Sequence, residues 1–181
     1  MDKMVIVVTC VMLSYEELIG PVEARMMRSI WRIVRDPQEA EDTMQDALMI
    51  IWKRLDRVRA HPNPHALILK ICTDASYDTL RKRKRHARRE DPDVLHRLQA
   101  HGGVTVPDEV TGIETEKEIL AAVARLPKKQ AVAILMRLVQ EQPYEAIARA
   151  MGCAESTVRI HVLRGRQRLS RWLAHLKEVI K

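Results

Sequence analysis

The sequence predicts an all-α protein of two small helical domains joined by a flexible linker, the second domain containing a helix-turn-helix. Three observations carry this. Apolar residues recur at helical spacing in two long blocks, and Pro and Gly collect in the stretch between them. The core palette also lacks Phe entirely while hydrophobic residues reach 46%, so the interior is left to Leu, Ile, Val, Met and Ala, which suits helix packing. The expected segments are an apolar extension at 1–13, a domain at 14–89, a linker at 90–113 and a second domain at 114–181.

Each element has a local cause. Met4 to Leu13 is an apolar run of ten residues, well short of the ~20 needed to span a bilayer; it reads as a packed N-terminal extension. Ser14-Tyr15-Glu16-Glu17 begins a capping-box pattern, and Met26, Ile30, Ile33 and Val34 continue the first helix. Asp36-Pro37 breaks it and starts a second helix to about Arg57, buried along Ala40, Met44, Ala47, Leu48, Ile51 and Leu55. Asn63-Pro64 is a cap followed by Pro at the first helical position, and launches a third helix through Leu67, Ile71, Ala75 and Leu80. From Glu90 the periodicity is lost, with a short helix expected around Val94 to Gln99. It resumes near Glu114 and is interrupted at Leu126-Pro127, Gln142-Pro143 and Gly152.

Charge points to a polyanionic partner. The formal net charge is +7, and Arg81 to Arg89 holds seven Lys or Arg against no acid; each phosphate such a run neutralises releases condensed counterions. Standing alone, the run reads equally well as a solvated helix end.

Tyr144 to His161 has the spacing of a helix-turn-helix. Ala148 supplies the small residue at the helix contact, Gly152 the turn residue free to adopt positive φ, and Val158 the apolar anchor of the second helix. Ile147 and Met151 fill the inner side. Val158, Val162, Leu169, Leu173 and Leu176 form an inward stripe, leaving Glu155, Ser156, Thr157, Arg159, His161, Arg164 and Arg168 outward, where a helix can enter a major groove and clamp phosphates. Ala154 is a weak cap for that helix.

With these motifs in place, the chain resembles the sigma-70 family, extracytoplasmic-function group, over roughly residues 14 to 89 and 114 to 173. Val34 to Leu55, with its Asp-Pro start, Ala-Glu-Asp and Gln-acid pair, looks like the family's core-binding helix. The resemblance makes Asp42, Gln45, Asp46 and Met49 the contacts to core RNA polymerase. Without the family, Glu39 and Glu41 need no partner, because acids in a first helical turn are stabilised by the helix dipole.

Pro64 to Arg81 looks like the helix that reads and opens the promoter minus-ten element. It implies DNA contacts from Lys70, Asp74, Tyr77, Arg81, Lys82, Arg83, Lys84 and Arg85; read by themselves, Lys70 and Tyr77 are ordinary exposed helix residues. The chain departs from the pattern at Leu67, where the family usually has Trp, at Asp74, usually Asn, and at Thr73, where a basic residue is common. In the second domain, Leu126-Pro-Lys-Lys-Gln through Leu169 resembles the family's minus-thirty-five reader. It carries base or phosphate contacts over to Ser156, Thr157, Arg159, His161, Arg164 and Arg168.

The resemblance implies a cytoplasmic, non-enzymatic factor whose partners are core RNA polymerase, promoter DNA and an anti-sigma factor, with no small-molecule substrate, cofactor or metal. The motifs agree. There is no Gly-rich phosphate loop, no Gly-x-Ser-x-Gly, and Cys10, Cys72 and Cys153 lie too far apart for a zinc or disulfide framework. They read as free thiols in a reducing compartment. The rival reading is a helix-turn-helix regulator that binds DNA without polymerase; it has no use for the face of Asp42, Gln45 and Asp46. A third is an interaction protein that keeps the fold but has lost promoter opening.

Overall fold

The computed structural model describes residues 15–90 and 108–176. The apolar extension, Ser14, Cys10, the greater part of the linker and the helix expected at Val94 to Gln99 lie outside them. Among the described residues every regular element is helical.

The N-terminal helices are α1 (Tyr15–Val34), α2 (Pro37–Lys53), the short α3 (Leu55–Arg59) and the long α4 (Pro64–Glu90). Arg35 takes positive φ between α1 and α2, reversing the chain. Asp36 then caps α2, its Oδ1 accepting from the Glu39 amide at 2.8 Å with Pro37 at the first turn. Asn63 does the same for α4, accepting from the Ala66 amide at 3.0 Å. Caps of this kind contribute roughly 1 kcal/mol each. The second helix was expected to continue to Arg57; instead it breaks at Arg54, whose amide turns back to the carbonyls of Ile51 and Trp52. Leu18, Val22, Met26 and Ile30 of α1 meet Ala40, Met44, Ala47 and Ile51 of α2 and Ile68, Leu69 and Cys72 of α4 in one core. Burial pushes the Cys72 thiol up to about 12, leaving it protonated and unreactive.

The C-terminal helices are α5 (Asp108–Val123), which begins earlier than the periodicity at Glu114 suggested, α6 (Lys128–Ile134), α7 (Tyr144–Met151) and α8 (Glu155–Trp172). A π-helical turn, Leu135–Val139, extends α6, and the Gln140 amide closes it onto the Leu135 carbonyl. Gly152 ends α7 at φ 64°, the left-handed conformation an L side chain resists. Gly165 has a different reason: a Cβ there would run into the Ile134 side chain, so the bare position lets α8 pack closely on α6.

The two sets of helices pack on each other along α4. Ala66 joins Val132, Ala133, Met136 and Ile147 in one apolar cluster. Ile33, Tyr77 and Leu80 join Val123, Leu126, Ile134 and Leu135 in another. These clusters form an apolar seam whose N-terminal side is largely the helix α4.

Candidate nucleic-acid and protein interfaces

Three surfaces carry the residues singled out from sequence. The first is the outer side of α2. Asp42, Gln45, Asp46 and Met49 are all exposed, and their i, i+3, i+4, i+7 spacing lines them along one face. Trp52 continues the line at 63% exposure, its ring edge-on to Tyr15 with centroids 5.5 Å apart. The sequence reading passed over Trp52; a large aromatic on the side away from the core stripe was the available signal.

The second surface is α4, where the structure separates the predicted minus-ten residues. Lys70 donates to Asp74 at 2.6 Å, so each partly neutralises the other. Lys128 of the C-terminal unit lies 4.0 Å from Asp74 and 2.8 Å from Asp78. Asp74 and Asp78 thus meet a cation from α6 across the seam.

Tyr77 corrects the expectation of an exposed helix residue. It is buried, because its ring fills the cluster formed with Leu126 and Val123. Its hydroxyl donates to the Leu126 carbonyl at 2.5 Å. The phenol is raised above its ordinary value, chiefly by burial, and so remains a donor. Arg81 lies over the same ring. In the basic run, Arg83 turns back to the N-terminal helices, meeting the Val34 carbonyl at 3.0 Å and the Glu39 carboxylate. Lys82 and Arg85 are exposed; Lys84 is half-buried.

The seam has polar fasteners besides Tyr77. Gln140 Nε2 lies 2.6 Å from Ser29 Oγ, 2.6 Å from Thr73 Oγ1 and 3.1 Å from the Leu69 carbonyl, joining α1 and α4 to the residue that closes the π-helical turn. The ring of His61 bridges its own loop to α7. Nδ1 lies 2.8 Å from the Asn63 carbonyl oxygen and 3.1 Å from the Asn63 amide nitrogen, and Nε2 lies 3.1 Å from the Arg149 carbonyl oxygen. Arg32 donates to the Val139 carbonyl at 3.1 Å. Beside it is a cavity of about 250 Å³ whose lining includes Arg25, Arg28, Arg32 and Glu141. Leu67, at the position of the family's usual Trp, is partly buried against the N-terminal core.

The third surface is the helix-turn-helix. Val158 and Val162 are buried, as their spacing required. Ser156, Arg159, Arg164 and Arg168 are exposed, Thr157 and His161 half-buried. Arg159 is already engaged: its guanidinium sits 4.4 Å from the centre of the Tyr144 ring and donates to Glu155 at 2.5 Å. Arg168 donates to Gln130 Oε1 at 3.2 Å. His161 Nδ1 is buried without a partner. Burial, followed by the positive charges of Lys129 and Arg164, holds the imidazole below its ordinary pKa, hence neutral at neutral pH.

Two exposed residues of α8 were absent from the sequence reading, Ile160 and Leu163. Among the described residues no group of His, Cys, Asp and Glu could hold a metal ion, and no helix is long and apolar enough to cross a membrane.

Comparison with known proteins matches both units. Residues 18–86 fit the family model for sigma-70 region 2, and residues 116–169 fit the model for sigma-70 region 4. The chain is 29% identical over 142 residues to the ECF RNA polymerase sigma factor SigM of Mycobacterium tuberculosis, covering 78% of this chain and 68% of that protein. It is 22% identical over 176 residues to the ECF RNA polymerase sigma factor SigW of Bacillus subtilis, covering 90% of each. In fold it is similar to the sigma factor RpoE of Bartonella quintana, solved in complex with the anti-sigma factor NepR. That likeness has a TM-score of 0.53 and 24% identity over 88% of this chain and 96% of the other.

Proposed function

Because the chain belongs to the sigma-70 family, in its extracytoplasmic-function group, we propose a division of labour among its three surfaces. The protein is a sigma factor: it binds core RNA polymerase and directs promoter-specific initiation through minus-ten and minus-thirty-five elements. As a subunit it positions the polymerase and leaves the chemistry to it, and work on the chromosome assigns it to the cytoplasm.

In this reading Asp42, Gln45, Asp46 and Met49, extended by Trp52, dock on the polymerase. An exposed aromatic and a methionine beside acids make a contact that combines apolar area with charge selectivity. The C-terminal half of α4, with Lys82 and Arg85, holds the opened strand, and α8 reads the upstream element in the major groove. An anti-sigma factor completes the partners, of the kind found with the Bartonella protein.

The observation that carries this reading is the pairing of region 2 and region 4 segments in one chain, in that order. A stand-alone regulator would need only the second. The docking face on α2 is open, while Lys70, Asp74 and Tyr77 on α4 are engaged with or near the C-terminal unit. The α2 face can therefore dock while the units are packed, and the promoter-opening face is exposed when the units part.

The test is transcription from a promoter library by core RNA polymerase with and without the protein. Specific starts that appear only with it support the reading. No starts, together with sequence-specific binding by the chain alone, would transfer it to the regulator class.

A further inference from the structure

Resting on that reading, we propose that Ile160 and Leu163 are specificity-determining residues that read thymine methyl groups in the upstream promoter element. The helix α8 has two faces. Val158, Val162, Gly165 and Leu169 recur at helical spacing and turn inward, the first three buried and Leu169 packed on the seam cluster. Directly opposite lie Ser156, Ile160, Leu163 and Gln167, at i, i+4, i+7 and i+11. This is the line of the helix farthest from its own protein, and all four residues are exposed.

The middle of that line is apolar. Ile160 is 45% and Leu163 56% exposed, and neither is needed for the core, which the opposite stripe already fills. Helical spacing puts Arg159 and Arg166 on one side of the line and Arg164 and Arg168 on the other. Such a ridge, apolar along its crest and cationic along both shoulders, matches a major groove: bases at the floor between two phosphate walls. The floor offers one apolar group, the C5-methyl of thymine, and aliphatic side chains are suited to it. A protein partner fits the shoulders less well, since it would have to bring an acidic residue to each side of an apolar strip.

The arginine expected to read bases has less freedom to do so. Arg159 is held against Tyr144 and Glu155, which favours a phosphate-facing role at the groove edge. The crest remains open while the two units are packed together, so access to it does not depend on their parting.

The experiment uses holoenzyme reconstituted with the full chain on a promoter recovered from the transcription library. Each thymine of the upstream element is replaced in turn by deoxyuridine, which removes only the methyl. Losing one buried methyl is expected to weaken binding about fourfold at one or two positions. Ile160→Ala or Leu163→Ala should abolish the distinction between thymine and deoxyuridine there, whereas Arg164→Ala should weaken both duplexes alike and flatten the salt dependence. Circular dichroism checks that the exposed substitutions leave the fold intact.

Indifference to deoxyuridine at every position, or a penalty that survives in both alanine variants, overturns the proposal and leaves the sigma reading standing. So does a loss of polymerase affinity with promoter discrimination unchanged, which would assign the crest to a protein contact. Failure to recover any promoter overturns the functional reading, and the proposal falls with it.

Discussion

Tyr77 and Leu126, 49 residues apart in sequence, are joined by a single hydrogen bond from phenol to backbone carbonyl. It crosses from the helix expected to open the promoter to the turn between α5 and α6 of the C-terminal unit, in an apolar cluster. Replacing Tyr77 with Phe keeps the ring and removes the donor. Because a buried carbonyl left unpaired costs about 1–3 kcal/mol, Y77F should lower stability by an amount in that range and loosen the seam. Urea denaturation measures the first, and the distance between fluorophores on the two units the second. A variant as stable and as compact as the parent would remove the bond from the list of fasteners.

Gln140 offers a sharper substitution. Its amide nitrogen faces three oxygens, from Ser29, Leu69 and Thr73. Gln140→Glu preserves shape but sets an acceptor-only carboxylate against the Leu69 carbonyl and against the Thr73 hydroxyl, whose proton already goes to Leu69, so that only the Ser29 hydroxyl can turn to donate. The expected outcome is a loss of roughly 2 kcal/mol, larger than for Gln140→Ala, read from the same denaturation curves. Equal losses would mean that the amide contributes packing alone.

Asp46 lies on the exposed face of α2, away from the seam. Asp46→Lys should reduce affinity for core polymerase at least tenfold, a change of about 1.4 kcal/mol, and leave promoter-element recognition by α8 untouched. Surface plasmon resonance on immobilised core enzyme provides the affinity. An unchanged value would move the docking face elsewhere.

Gly152 turns the chain at φ 64° with open space where a Cβ would go. Gly152→Ala therefore meets backbone strain without a clash, and should cost about 1 kcal/mol. The thermal midpoint should fall with no change in helix content.

His161 sets a pH dependence. Its folded pKa is depressed, so between that value and the unfolded value near 6.5 the unfolded chain binds more protons. The contribution of this imidazole to stability is accordingly constant above its unfolded pKa and declines as pH falls through that window. His161→Gln should flatten the decline over pH 5 to 7 in thermal melts. A slope identical to the parent's would assign the acid sensitivity to other groups.

Much of the fold was legible because its signals are local. Asp36-Pro37, Asn63-Pro64 and Gly152 act within a turn of themselves, and each sits where the structure caps or ends a helix. The break at Arg54 had no such signal, since arginine is a good helix former. The seam was invisible for a different reason. Ala66 and Tyr77 look like unremarkable positions on α4 until Met136 and Leu126 arrive from more than forty residues away. Ile160 and Leu163 were overlooked because an apolar residue on an outward face breaks the binary pattern by which faces are assigned, and such breaks belong to surfaces that meet something.

The seam also bears on supply. Chromosomal DNA presents an enormous number of nonspecific sites, and a surface shaped to grip single strands is drawn to them through phosphates alone. With Lys70 paired to Asp74, Tyr77 packed against Leu126 and Arg83 turned back to Glu39, an unassembled copy offers that reservoir a reduced grip. More of it stays dissolved, within reach of free core enzyme. How firmly the two halves hold each other thus tunes how many molecules are on hand to compete for polymerase when the cell calls for a change of programme.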